Sequence, residues 1–312
     1  MSAPLVGVDL GGTNIRAACA TGPTTHGPIT WRSTPAANGP EAVIDAVADC
    51  IREASGGQTP AGVAIGIPGP LDPGTGVVHA APHLAGWTEV PARDLLSART
   101  GSPVAVRNDA SMAGFAEWKA GAGAGARHFI FITASTGIGG ALVLDGIPHD
   151  GIGSAGEVGH MPIDPQGPPC LQGHPGCLEG TASGTAIAAA AKRALAAGRE
   201  SSLRDLPADE LTAKDVENAA NDGDALAIEL FAGAGRALGR AVGGLINLLA
   251  PEVIVIGGGL INAGDLLFAP LRAAVPEMAF AYPLSKCRIV PAALGTDAGL
   301  VGAIAWAVHT FG

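Results

Sequence analysis

Short apolar stretches alternate with longer amphipathic ones along the chain. Leu5–Leu10, Gly62–Ile67, Val104–Val106, Phe129–Thr133, Ala141–Leu144 and Val253–Ile256 have strand length and Val/Ile content. Runs of this kind between turn residues predict strands buried on both faces. Apolar residues at helical spacing predict helices over Glu41–Arg52, Ala110–Ala120, Gly184–Ala197, Lys214–Asn221, Ala225–Leu249, Leu266–Val275 and Gly299–Val308. The alternation predicts an α/β architecture with largely buried sheets. The longest apolar run, from Leu238 to Ile261, is interrupted by Asn247, Pro251 and Glu252. It predicts a helix followed by a buried strand and not a membrane span. No fixed repeat of roughly 20–50 residues is present, which excludes a solenoid.

One plan occurs twice. LVGVDLGGTNIRAACA (5–20) is an apolar strand, a Gly/Thr turn and a second apolar strand, and FIFITASTGIGGALVLDG (129–146) repeats it with Ser-Thr-Gly-Ile-Gly-Gly as the turn. Two such hairpins predict two related lobes with a ligand cleft between them. The boundary is expected near Asp109, where a strand gives way to a helix. A smaller lobe would then comprise residues 1–109 and 299–312, and a larger one residues 110–298.

Composition narrows the possible partners. The 312 residues suit two domains or one large one, and with 47% hydrophobic but only 15% charged side chains the chain can bury a large core. Aromatic residues are 4% of the total, so that core must be aliphatic and packed with Ala and Gly. A formal charge of −10 without a Lys/Arg block argues against nucleic acid as a partner. The 47 glycines and 24 prolines fall in short clusters between apolar runs, which indicates many tight turns. No basic segment leads into an apolar one at the N-terminus, so no signal peptide is expected and the compartment is read as the cytoplasm. Cys19, Cys50 and Cys287 stand alone in apolar surroundings and read as reduced thiols. Cys170 and Cys177 are closer together.

A backbone wraps a phosphate only where side chains do not intrude, and Ser or Thr hydroxyls then supply further donors. Three turns qualify, each directly after an apolar strand: Asp9-Leu10-Gly11-Gly12-Thr13-Asn14, Ser135-Thr136-Gly137-Ile138-Gly139-Gly140, and Gly257-Gly258-Gly259. Taken singly, each reads equally well as a tight structural turn. Other phosphate motifs fail. None of the four lysines follows a glycine, which rules out a P-loop. GAGAGA at 121–126 follows a helix and opens none, so it reads as a surface loop and not a dinucleotide fingerprint. Protein-kinase signatures are also missing.

VDLGGTN, RNDA, TASTGIGG, GEVGH, the Cys/His stretch to GCLEG, and PEVIVIGGG appear in that order. In these motifs, from Val6 to Gly302, the chain resembles the ROK family of bacterial sugar kinases and related repressors, within the actin/hexokinase superfamily. The resemblance implies two ribonuclease-H-like lobes, a cleft for ATP with Mg²⁺ and a hexose, and transfer of the γ-phosphate to a sugar hydroxyl. By the same resemblance Asp9 matches the acid associated with Mg²⁺. Gly11, Gly12 and Thr13, with Asn14 beside them, match the first phosphate turn. Thr136, Gly137, Gly139 and Gly140 match the second, and Gly257 and Gly258 match the turn against the adenosine. Asn108 and Asp109 match the sugar-binding pair, with Asp109 in the place of the general base. Glu157, His160 and Glu179 match the remaining sugar contacts. Read without the family, Asp109 is a helix N-cap, and Glu157 and Glu179 are solvated surface acids.

Two departures from the family pattern bear on substrate and metal. Pro82-His83 stands where many of these kinases carry Pro-Asn, and Leu171-Gln172-Gly173 follows Cys170 where the family has x-Cys-Gly. Structural zinc in the family uses His and three Cys. Here His160, Cys170 and Cys177 are kept, and His174 is the candidate fourth ligand, since zinc prefers sulfur and imidazole to an amide. Only eight residues precede Asp9, which leaves no room for the repressors' winged helix-turn-helix, so a sugar-responsive regulator is not expected. Glucose, phosphorylated at its 6-hydroxyl, is the expected acceptor. Fructose, mannose, allose and N-acetylmannosamine remain alternatives, as does polyphosphate to ATP. The resemblance implies a homodimer or homotetramer and no membrane partner.

Overall fold

The structure is a computed structural model that describes residues 3–81, 83–170 and 172–312. Pro82 and Leu171, each part of a departure noted above, lie outside the described residues. In chain order the first half comprises β1 (Leu5–Leu10), β2 (Asn14–Cys19), β3 (Thr30–Ser33), α1 (Gly39–Ala54), β4 (Gly62–Ile67), β5 (Leu71–Asp72), β6 (Val77–Ala80), β7 (Thr88–Val90), α2 (Ala92–Thr100), β8 (Val104–Asn108) and α3 (Asp109–Ala120). The second half comprises β9 (Phe129–Ala134), β10 (Ile138–Leu144), β11 (Ile147–Pro148), α4 (Leu178–Ala182), α5 (Gly184–Ala196), α6 (Ala213–Asn221), α7 (Ala225–Leu249), β12 (Val253–Gly257), α8 (Asp265–Met278), α9 (Ala281–Lys286), β13 (Arg288–Pro291) and α10 (Ala298–Phe311).

The chain divides into two compact units. The first holds residues 1–126, 141–156 and 293–312, and the second holds 127–140 and 157–292. The expected boundary at Asp109 therefore moves, because α3 belongs to the first unit. Met112 and Phe115 of α3 pack there with Ala64, Ala303 and Trp306.

The first unit is built on a sheet of order β3-β2-β1-β4-β8. β1 runs antiparallel to β2 and parallel to β4, and β4 runs parallel to β8. Along β4 one alternate set of side chains is large and the other small, and Gly7 of β1 extends the small set. Val6, Val8, Val63, Ile65 and Ile67 bury against Val43, Ile44 and Val47 of α1. Gly7, Gly62 and Ala64 take the opposite face, where side chains point by the two-residue period. A Cβ at Gly7 would collide with the backbone of Ala303 and Ile304, and one at Gly62 with the Phe311 ring. The small positions thus let α10 lie close on the sheet, and β4 is buried along its whole length.

The second sheet has the order β11-β10-β9-β12-β13, with β9, β12 and β13 parallel. β10 starts at Ile138, so Gly139 and Gly140 are extended strand residues and the turn proper is shorter than expected. In the second unit α7 and α8 pack closely through Gly235, Gly239 and Gly243. A Cβ at Gly239 would strike the Leu271 carbonyl. α2, β3, β13 and the small β5-β6-β7 sheet were not expected from the pattern. Cys50 is buried, whereas Cys19 and Cys287 are only half-buried. No helix among the described residues is long and apolar enough to cross a membrane.

Candidate active site

In the first unit the DLGGTN turn closes the β1–β2 hairpin. Gly11 N–H donates to the Asn14 carbonyl at 2.9 Å, and Thr34 Oγ1 donates to the Gly11 carbonyl at 2.7 Å. Asp9 lies opposite Arg16 in the hairpin register. Arg16 Nη2 donates to Asp9 Oδ2 at 2.5 Å and to the Thr296 carbonyl at 2.7 Å. This partner of Asp9 was missed in the sequence, although counting residues across a two-stranded turn points to it. His83 packs its Cβ where a side chain on Gly12 would fall.

Asn108 ends β8 in extended conformation, and its side chain caps α3. Its Oδ1 accepts from Ala110 N–H at 2.9 Å and Ser111 N–H at 3.2 Å, while Nδ2 donates to the Gly69 carbonyl at 3.1 Å. The cap is therefore Asn108. Asp109 is the first helical residue, and its Oδ1 also accepts from Ala110 N–H, at 2.8 Å. Arg107, just before the pair, lies 4.4 Å over the Trp306 ring and 3.4 Å from Asp150 Oδ2.

In the second unit the Ser135–Gly137 turn leaves the carboxyl end of β9. It is tied to the start of α5, where Gly184 N–H donates to the Ser135 carbonyl at 2.7 Å and Thr185 Oγ1 to the Thr136 carbonyl at 2.8 Å. A helix N-terminus beside a turn of small residues with hydroxyl donors favours anions. The third turn follows β12, parallel and adjacent to β9. Gly258 there has φ +86°, and a Cβ on it would meet the Ala134 carbonyl, so only glycine fits.

Against these two turns lies a cavity of about 600 Å³, within the size range of small-molecule sites. Thr136 and Gly259 line it at the turns, and Thr185, Leu260 and Asn262 are among its other walls. Ser135 and Thr185 were already part of visible turn and helix-start patterns. Lys192, Lys214 and Glu217, which also line the cavity, were missed, since a polar residue on a short helix carries no mark of facing a cavity.

Glu157 precedes the short 3-10 turn Val158–His160, His160 ends it, and Glu179 lies on α4. Burial of the Glu157 carboxyl raises its pKa, the His160 ring lowers it and the Glu179 carboxylate raises it again. Glu179 is 9% exposed, and its Oε2 accepts from Ile138 N–H at 3.1 Å, which ties α4 to the second turn. A Cβ at Gly137 would come within 2.7 Å of that same oxygen.

The loop before α4 gathers His160, Cys170, His174 and Cys177, with donor atoms all within 4.8 Å of one another. Tetrahedral zinc, with bonds of about 2.0–2.3 Å to N and S, suits that spacing after a slight contraction. Burial raises the Cys170 thiol pKa, but the Gln172 and His174 N–H groups and the His160 ring outweigh it and bring it below the usual thiol value. His160 Nδ1 is buried and has no hydrogen-bond partner among the described residues. Gln172 is exposed.

These two units, with their duplicated turns, have the fold of actin/hexokinase-class phosphotransferases. The ROK family model matches residues 5–310, and the chain belongs to the ROK family. It is 37% identical over 304 residues to a glucokinase of Thermotoga maritima, covering 96% of this chain and 95% of that protein. It is 38% identical to a glucokinase of Halalkalibacterium halodurans, covering 95% and 92%. A crystal structure of a ROK family glucokinase from Streptomyces griseus in complex with glucose and AMPPNP superposes with a TM-score of 0.83 at 32% identity, covering 98% of this chain and 99% of that one.

Proposed function

We propose that the chain transfers the γ-phosphate of ATP to the 6-hydroxyl of glucose, with Asp109 as the general base. The observation that carries this reading is the cavity lined by Thr136, Thr185 and Gly259, set against two glycine turns at adjacent strand ends. The similarity to a glucokinase that holds glucose and AMPPNP supports the choice of ligands.

A sugar hydroxyl is a weak nucleophile, and phosphoryl transfer depends on positioning and on a carboxylate to take its proton. Asp109, fixed at the first position of α3 by the Asn108 cap, accepts that proton as the oxygen–phosphorus bond forms. The bond to the β-phosphate oxygen breaks and ADP leaves. Mg²⁺, when bound, neutralises phosphate charge, and Asp9 is the acid assigned to it. The Ser135–Gly137 turn and the start of α5 cradle the phosphates. Asn108, Glu157, His160 and Glu179 are assigned to the sugar hydroxyls, since carboxylates and amides match groups that both donate and accept.

Zinc fits the His160, Cys170, His174 and Cys177 donors and would brace the loop that delivers Glu179. The same reading places the protein in the cytoplasm as a homodimer or homotetramer, which light scattering on the purified chain checks. The decisive experiment is ADP release from ATP and Mg²⁺ across a panel of hexoses and N-acetylhexosamines. Glucose should give the highest kcat/KM. Preference for another sugar would reassign the acceptor, and no turnover with any of them would overturn the function.

A further inference from the structure

The cavity in the second unit is lined by an acidic side chain that the proposed reaction does not use. Glu217 on α6 lines it and is only 5% exposed. Its Oε1 accepts from Lys214 Nζ at 2.6 Å. No protein group among the described residues donates to Oε2. Oε2 is not sealed from solvent; on the cavity wall a ligand that donates a hydrogen bond would take the place of water there.

Position along the cavity narrows that ligand. Gly184, bonded to the Ser135 carbonyl, marks the phosphate end, and a Cβ there would lie 3.4 Å from the Ala213 Cβ. Glu217 stands one helical turn beyond Ala213, about 6 Å along α6. A carboxylate beside the phosphates would repel them, but one turn away it faces the neutral part of a nucleotide. The walls of the cavity include Ala188, Ala189, Leu211 and Leu260, which suit a flat apolar ring. Adenine presents an amino group at position 6, while hypoxanthine and guanine present an oxygen there. An ionised carboxylate only accepts hydrogen bonds. One placed against position 6 therefore rewards the amino group and repels the oxygen, whereas one placed against N1 would accept from the N1–H of a 6-oxopurine.

We infer that Glu217 selects the base of the phosphoryl donor, accepting a hydrogen bond from the 6-amino group of adenine and excluding 6-oxopurines. This rests on the nucleotide reading of the cavity. The test compares ADP with IDP by calorimetry, and ATP with ITP in glucose phosphorylation, for the parent and Glu217→Gln. Hypoxanthine differs from adenine at position 6 and at N1, which carries hydrogen in hypoxanthine.

The parent should prefer the adenine nucleotide by about tenfold or more, the scale of a lost hydrogen bond to a charged group. In Glu217→Gln that ratio should fall at least severalfold, because a carboxamide can turn its NH₂ toward O6. General loosening of the fold would instead weaken both nucleotides together and leave the ratio alone. An unchanged ratio in the variant, or equal binding of ADP and IDP by the parent, overturns the inference. If ADP selectivity tracks Glu217 while no sugar is phosphorylated, the inference stands and the proposed reaction falls.

Discussion

Asn108 and Asp109 are adjacent, and short polar side chains of either type suit a helix start. The structure separates them: Asn108 accepts two backbone N–H groups of α3, and Asp109 enters the helix. Their substitutions should therefore diverge. Asn108→Ala removes the cap and should cost about 1 kcal/mol in chemical denaturation. Asp109→Asn keeps an acceptor for Ala110 N–H, so its thermal midpoint should stay near the parent's while kcat falls about 10²–10⁴-fold. A variant within a few-fold of the parent rate would remove Asp109 from the base role. The pair itself was legible from its motif, but the assignment of the cap was not, because both residues satisfy the same local rule. Arg16 illustrates the opposite case: its position opposite Asp9 follows from hairpin register alone and needed only the turn to be counted.

α7 shows what a single element discloses and what it conceals. Its span, Ala225–Leu249, matches the apolar periodicity because the helix is long and mostly buried. Short, half-exposed elements such as α2 and the β5-β6-β7 sheet bury too little to impose a pattern. Inside α7, glycines at 233, 235, 239 and 243 look alike in the sequence but differ in environment. A Cβ at Gly233 would meet only the flexible end of Arg236, at 3.9 Å, whereas one at Gly239 would lie against the Leu271 carbonyl. Gly233→Ala should raise stability by about 0.5–1 kcal/mol through helix propensity. Gly239→Ala gains the same propensity but must push backbone against backbone, and the steric cost, about 1–3 kcal/mol, should win. Thermal midpoints of the two variants should move in opposite directions, and parallel shifts would refute the packing argument.

The start of α7 also sets part of the acid limit. Partial burial raises the Asp224 pKa, but Ala227 and Ser202 N–H and the Ser201 and Ser202 hydroxyls outweigh it and hold it at about 2. A depressed carboxylate contributes its full stability above the unfolded value of about 4. That contribution disappears as pH falls from there toward about 2. Asp224→Asn should therefore flatten the loss of stability between pH 4 and 2, which denaturant titrations at several pH values would show. An unaltered acid limb would refute it.

Across the whole molecule, the duplicated hairpins revealed two units, but the sequence did not show which segments return to the first. That depends on contacts such as Glu117, fully buried on α3, whose carboxylate accepts from Ala122, Ala293 and Leu294 N–H. A glutamate at that place in a helix reads as a solvated one until its partners are known. The division also predicts how the molecule responds to loss of metal. All four Cys/His donors, Glu179 and the turn it holds belong to the second unit. The purified, untagged chain should carry close to one zinc per chain, reduced in His174→Ala. Stripping it with a strong chelator removes a cross-link between His160 and the Cys170–Cys177 loop, and binding energy of this kind is folding energy. Amide exchange should then quicken over residues 157–183 and at Ile138, whose N–H rests on Glu179. The buried strands of the first unit, around Val6, Val8, Val63 and Ile65, should exchange as before. Absence of zinc from the parent would end the metal assignment. Zinc lost with equal acceleration in both units would show that the loop stabilises the molecule as a whole and does not act locally through Glu179.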